Sequence, residues 1–213
     1  MLARPVIYDG RQQRDAQLGD IVTNGRRVAS NAAGAATTLL ATDLTAGILD
    51  RTGPGAGFND TMPSAENLRA ALAGLGNAPV QGDGFTWIYR NGVAFAMTAV
   101  AGVGTSIANA SVAASVVRYF QVTCLNGQPA VSYVGTTVNT DPKISGFTAA
   151  QLANVIPGME IVSTTGVTAG TTVIGVNPNT GIVTMSANAT ASGTVAVNFS
   201  PRFEVRGLGV MTA

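Results

Sequence analysis

From Ile161 to Pro201 the chain carries no charged side chain, and small and β-branched residues alternate through much of that length. This feature narrows the fold more than any other. "MEIVST", "TTVIGV", "GIVTMSA" and "TVAVNF" read as short strands, parted by "TGVTAG", "NPNTG" and "NATASG". β-branched residues suit a pleated, half-buried surface, whereas Gly, Asn and Pro suit turns. Disorder does not fit, because disordered chains are rich in charge and poor in β-branched residues. Charged residues make up 11% of the 213 residues, against about 25% in an average soluble domain. Thr, Ser, Asn and Gly take their place. The expectation is an all-β protein whose outer faces are polar and uncharged, or covered by other chains.

The remaining chain divides by pattern. Residues 1–60 read as an extended N-terminal arm and linker. In it Arg4, Arg11, Arg14, Arg26 and Arg27 interleave with Asp9, Asp15 and Asp20, and strand-like "PVIYDG" and "GDIVTNG" end in turns. "RTGPGAGFND" reads as a flexible connector. Residues 61–140 read as an antiparallel sandwich, jelly-roll-like or barrel-like domain with one short helix at 64–75. Pro63 and Ser64 start that helix, and Leu68, Leu72 and Leu75 recur at helical spacing. Two hairpins are expected there, one turning at Asn91-Gly92 and one at Asn126-Gly127. Residues 141–200 form a small all-β module opened by a helical turn at "TAAQLANVI" that Thr148 leads. The tail 201–213 regains alternation and reads as a strand returning to the second domain.

Several chemistries are excluded or disfavoured. The chain contains no histidine, which removes Ser-His-Asp and Cys-His nucleophiles and His-ligated zinc. Lys143, the only lysine, follows Pro142 without a hydrolase motif. Paired carboxylates suffice for glycosidases, and Asp60, Glu66, Asp83, Asp141, Glu160 and Glu204 are available outside the arm. Asp83-Gly84 and Asp141-Pro142 are loop signals, and Glu66 sits in a first helical turn. "GPGAG" and "GVGTS" lack the Lys-Ser/Thr pair of a phosphate loop. Cys124 stands alone, so no internal disulfide or Cys metal cluster forms, and its strand context reads as a buried thiol. A formal net charge of +1 does not suit a binder that neutralises many phosphates. No signal peptide or membrane span is expected, since Pro5 and Asp9 interrupt the start and Gly102, Gly104 and Asn109 break the apolar stretch 92–117. The reading is a non-enzymatic protein with no cofactor, nucleic-acid or membrane partner.

The segment "PGMEIVSTTGVTAGTTVIGV…GIVTMSANATASGTVAVNF" resembles a small β-module recurrent in tailed-bacteriophage virion proteins. The matching residues are Gly158, Met159, Gly166, Val167, Ala169, Gly170, Thr171, Thr172, Ser186, Ala187, Asn188, Ala189 and Thr190. Thr168 and Met185 depart from it, where such modules commonly have proline and leucine. The middle segment, with "GDGFTWIYRNG" and "YFQVTCLNG", is similar to phage head-decoration and fibre-head domains, and "RPVIYDG" with "LGD" to N-terminal attachment pieces. The resemblance implies a virion structural protein, and it implies a homotrimer.

Two functions follow as expectations. In the first, the protein is a capsid decoration or cement protein that binds the phage major capsid protein at the head surface. In the second it is a tail-associated fibre or receptor-binding protein, with a host surface glycan as partner. The length and the lack of a shaft repeat favour the first. The expected shell-contact residues are Arg4, Tyr8, Arg11, Arg14, Arg26 and Arg27. Arginine suits interfaces because its planar fork makes several hydrogen bonds.

Overall fold

The computed structural model describes residues 27–76, 78–163 and 165–212. The protein is all-β in class, with three short helices among the described residues. The described residues divide into two compact units, one comprising 27–124 together with 203–212, the other Leu125–Arg202.

The first unit holds two sheets. The larger takes β1 (Arg27–Asn31), β2 (Gly47–Arg51), β4 (Gly84–Asn91), β8 (Val116–Asn126), β15 (Arg202–Thr212) and β6 (Thr105–Ala108), in the order β1-β2-β4-β8-β15-β6. The smaller runs β3 (Phe58–Thr61), β5 (Met97–Val100), β7 (Ser111–Val112). Pairing is mixed, which corrects the expected antiparallel arrangement. β1 with β2, β2 with β4, β15 with β6 and β3 with β5 are parallel, while β4 with β8 is antiparallel. The inward faces of both sheets share one core with helices α1 (Ala41–Thr45) and α2 (Ala65–Gly74). At its centre Trp87 stacks on Phe120 at 4.9 Å between ring centroids.

Local chemistry explains several elements. Ser64 caps α2 by accepting from the Asn67 amide at 3.2 Å, and Leu68 and Leu72, four residues apart, are buried on one face. In "GILDR" alternate residues point inward, so Gly47, Leu49 and Arg51 are all buried.

Residues 27–60 are therefore not an extended arm. Leu39, Leu44, Leu49 and Phe58 lie in the core of the first unit, and the supposed connector 51–60 contains the end of β2 and most of β3. Neither expected hairpin forms. β4 and β5 belong to different sheets, as do β8 and β9 (Val131–Thr137). Both Asn-Gly pairs instead end a strand with a buried asparagine side chain.

The second unit is a sheet in the order β11-β14-β9-β10-β13-β12, antiparallel throughout. Its strands are β9, β10 (Lys143–Ser145), β11 (Glu160–Ser163), β12 (Val173–Asn177), β13 (Ile182–Met185) and β14 (Gly193–Ser200). The two end strands also meet. The Gly158 amide donates to Val173 O at 2.8 Å, the Val173 amide to Met159 O at 2.9 Å and the Ile161 amide to Thr171 O at 2.8 Å. The sheet thus closes into a six-stranded barrel, which leaves no open edge. Because β9 is one of its staves, the unit begins before residue 141, ahead of the boundary expected from pattern.

Phe147, Phe199, Ile161, Val183 and Met185 fill the barrel, and Leu152 of helix α3 (Ala149–Leu152) joins them. Thr148 and Gln151 form a reciprocal capping box that starts α3. Gly135 has no side chain because a Cβ there would lie 2.6 Å from Ile144 Cγ2 and 2.7 Å from Phe147 Cζ. In sequence, the barrel is an insertion between β8 and β15, which are neighbours in the larger sheet.

Candidate functional site

A buried polar cluster of the first unit is built around Arg51. Strand alternation turns this residue inward beside Leu49, and it is fully buried, as are Asp60 and Tyr89. Arg51 Nε donates to Asp60 Oδ2 at 2.9 Å and Nη2 to Asp60 Oδ1 at 3.1 Å. The Tyr89 hydroxyl donates to Asp60 Oδ2 at 2.9 Å. The other guanidinium hydrogens go to Ala33 O and Ala35 O, each at 2.5 Å, and to Asn31 Oδ1 at 3.2 Å. The Phe58 ring packs on the guanidinium, 5.0 Å from its centre. A bidentate pair with every remaining donor engaged meets the condition under which a buried ion pair is tolerated.

Burial pushes the Tyr89 phenol far above the ordinary tyrosine value, and the Asp60 charge pushes it further. Tyr89 therefore stays protonated at neutral pH and donates its proton to the hydrogen bond with Asp60. What the cluster does is hold chain segments: it fastens residues 31–37 to β2, β3 and β4. Gly53 allows this, since a Cβ there would collide with Ala32 O.

Beside the cluster lies an open cleft of about 410 Å³, with residues 34–36 on one side and 56–59 on the other. The lining is mostly glycine and alanine, with Phe58 and Asn59. Residues 32–36 are all exposed.

The sequence candidates are scattered. Arg4, Tyr8, Arg11, Arg14 and Arg26 lie outside the described residues, and Arg27 opens β1. Of the carboxylates, Asp60 is in the buried pair and Glu66 pairs with Arg69 one helical turn away at 2.6 Å. Asp83 closes a turn by accepting from the Val80 amide at 2.9 Å, and Glu204 pairs with Arg206 at 3.2 Å. Lys143 is exposed on β10. Cys124 is buried in the core of the first unit. Among the described residues no three His, Cys, Asp or Glu side chains gather as a metal site, and no helix is long and apolar enough to cross a membrane.

Arg51 and Tyr89 were missed from sequence. The available signal was that Arg51 falls in phase with Leu49 on a short strand, with an opposite charge across a Gly-Pro-Gly loop.

The module residues take structural positions in the barrel. Gly158, Gly166 and Gly170 have φ of 92°, 77° and 81°, the left-handed region that favours glycine. Met159, Thr171 and Ala189 are buried. Met185, one of the two departures, sits in the core. No protein-family model matches this chain, and no match is found among curated proteins or solved structures.

Proposed function

We propose that this chain is a non-enzymatic structural protein of a tailed-phage virion, a decoration or cement protein that binds the head surface and bridges shell subunits. The observation that carries the reading is the exterior of the barrel. Residues 125–202 hold four charged side chains, Asp141, Lys143, Glu160 and Arg202. Meanwhile Val134 and Ile174 are 61% and 58% exposed. Surface charge of one sign keeps dissolved proteins apart, and burying an unpaired charge at an interface costs several kcal/mol. A barrel clothed in Thr, Asn, Ser and Val avoids that cost when copies or a shell cover it.

Three further points support the reading. The barrel carries the ordered set of residues that resembles the phage module. Its motif positions serve turns and core, so the likeness is one of scaffold. The buried Arg51 cluster spends its polar groups on fastening chain segments. The partners in this account are further copies of the chain, as a trimer, and the phage major capsid protein.

Antibody labelling of purified virions in the electron microscope tests the proposal. Label over the whole head surface is the expected result. Label confined to the tail would transfer the protein to the fibre class, and unlabelled virions would reject both.

A further inference from the structure

β1 is the end strand of the larger sheet, and its outer edge is unpaired among the described residues. The Thr52 amide donates to Asn31 O at 3.2 Å, in keeping with the Asn31–Arg51 register of β1 on β2. Only alternate residues of a strand bond to the same neighbour. Val28 and Ser30 therefore turn their N–H and C=O groups outward.

The side chains add a second feature. Val28 stands opposite Ile48, Ile48 opposite Ile88 and Ile88 opposite Tyr119. This row lies on the face turned away from the core. The alternate residues Leu49, Trp87, Tyr89 and Phe120 are core members, whereas Ile88, though buried, belongs to neither core cluster. Directly opposed apolar side chains of this kind stabilise a sheet. The row stops at Val28, which is 55% exposed.

β1 is preceded in the chain by "LGDIVTNGR", residues 18–26, which lie outside the described residues. Asn24-Gly25 has the composition that a two-residue type I′ hairpin loop favours. Such a loop sets Thr23 against Arg26, and hence Ile21 against Val28 and Gly19 against Ser30, as the hydrogen-bonded pairs. Val28 and Ser30 are the residues that β2 leaves free. Ile21 also falls on the outer face, where it carries the apolar row one strand further. The Asn-Gly pairs at 91–92 and 126–127 had no such opening, since β4 and β8 already have a neighbour on each side.

We propose that residues 18–23 form a further strand, antiparallel to β1, which covers the edge of the larger sheet and extends its outer apolar row through Ile21. The occupant is the chain's own segment because so short a tether gives it a local concentration that no free strand reaches. An unpaired edge is a template for other chains, and this strand closes it. The inference does not depend on the virion reading, because it rests on the ladder, the row and the preceding sequence.

Cysteine pairs in the full chain test it. Ile21→Cys with Val28→Cys sets two thiols on facing residues, within the roughly 4.4–6.8 Å Cα separation that a disulfide needs. Mild oxidation of the native protein should close this pair within one chain. Val22→Cys with Val28→Cys, whose side chains leave opposite faces, should stay reduced, and in urea both pairs should close alike. Amide hydrogen exchange is the second readout. The Val28 and Ser30 amides should be protected in wild type, and Gly25→Val, which bars the left-handed backbone of the loop, should speed both by about tenfold or more. Equal closure of the two pairs in the native protein would overturn the proposal. So would fast exchange of Val28 and Ser30 in wild type, or no effect of Gly25→Val. A disulfide between two chains would overturn it as well, since the edge would then hold a neighbouring copy's segment.

Discussion

Arg51 and Asp60, nine residues apart on either side of a Gly-Pro-Gly loop, close on each other inside the first unit through two hydrogen bonds of 2.9 and 3.1 Å. The contact turns a stretch that looks like a connector into a fastening. Removing one partner strands the other in the core. Asp60→Ala is expected to lower stability by about 3–5 kcal/mol, the usual cost of breaking a buried pair, read from urea unfolding. The double change Arg51→Met with Asp60→Leu does not restore stability, because the buried Tyr89 hydroxyl loses its acceptor at a cost of about 1–3 kcal/mol. Wild-type stability in the double variant would contradict this account.

Tyr89 gives the cluster a pH signature. Burial, followed by the Asp60 charge, raises its pKa in the folded protein, so folding favours the protonated phenol. Its contribution is complete below the ordinary tyrosine value of about 10 and is lost as pH rises beyond it. Stability curves of wild type and Tyr89→Phe should run parallel below that pH, offset by about 1.5–3 kcal/mol for the lost bond to a charged group. Above it they should converge. Parallel curves throughout would show that Tyr89 ionises as freely folded as unfolded.

Asn91 braces a loop. Its Nδ2 donates to Phe95 O at 2.8 Å and to Ala113 O at 2.9 Å, and the following Gly92 amide is held by Arg51 O at 2.9 Å. Asn91→Asp sets a carboxylate against carbonyl oxygens and should cost about 3 kcal/mol or more. Thermal unfolding measures it, and a loss under about 1 kcal/mol would show the bonds to be incidental.

In the barrel, Gly181 has φ of 67°, and a Cβ there would collide with Phe147 O. Gly181→Ala should destabilise the chain by more than the roughly 1 kcal/mol of left-handed strain alone. The exposed neighbour Thr180→Ala is the control and should stay within about 1 kcal/mol of wild type.

The parts of the fold legible in the sequence are those written locally. Ser64 before a Leu-spaced run marks α2, Thr148 with Gln151 marks α3, and alternation marks the barrel strands. Strand partners were not legible. Asn91-Gly92 and Asn126-Gly127 have the composition of hairpin turns, yet their asparagines are buried and their strands pair far away in sequence. Parallel partners such as Leu49 and Tyr89 have no short-range mark, because long-range burial chooses them. Arg51 was hidden for the same reason, since a charge on a short strand reads as exposed until the partner that buries it is known.

The proposed function makes the sparsely charged barrel exterior an assembly surface. Light scattering of the full chain at micromolar concentration, compared with Val134→Glu/Ile174→Glu, tests it most directly. Both side chains are exposed, so the variant keeps its fold by circular dichroism. The account predicts a wild-type mass of three chains and a variant shifted to single chains, since like charges forced together at an interface cost several kcal/mol. A wild-type monomer, or a variant that assembles as fully as wild type, would contradict it.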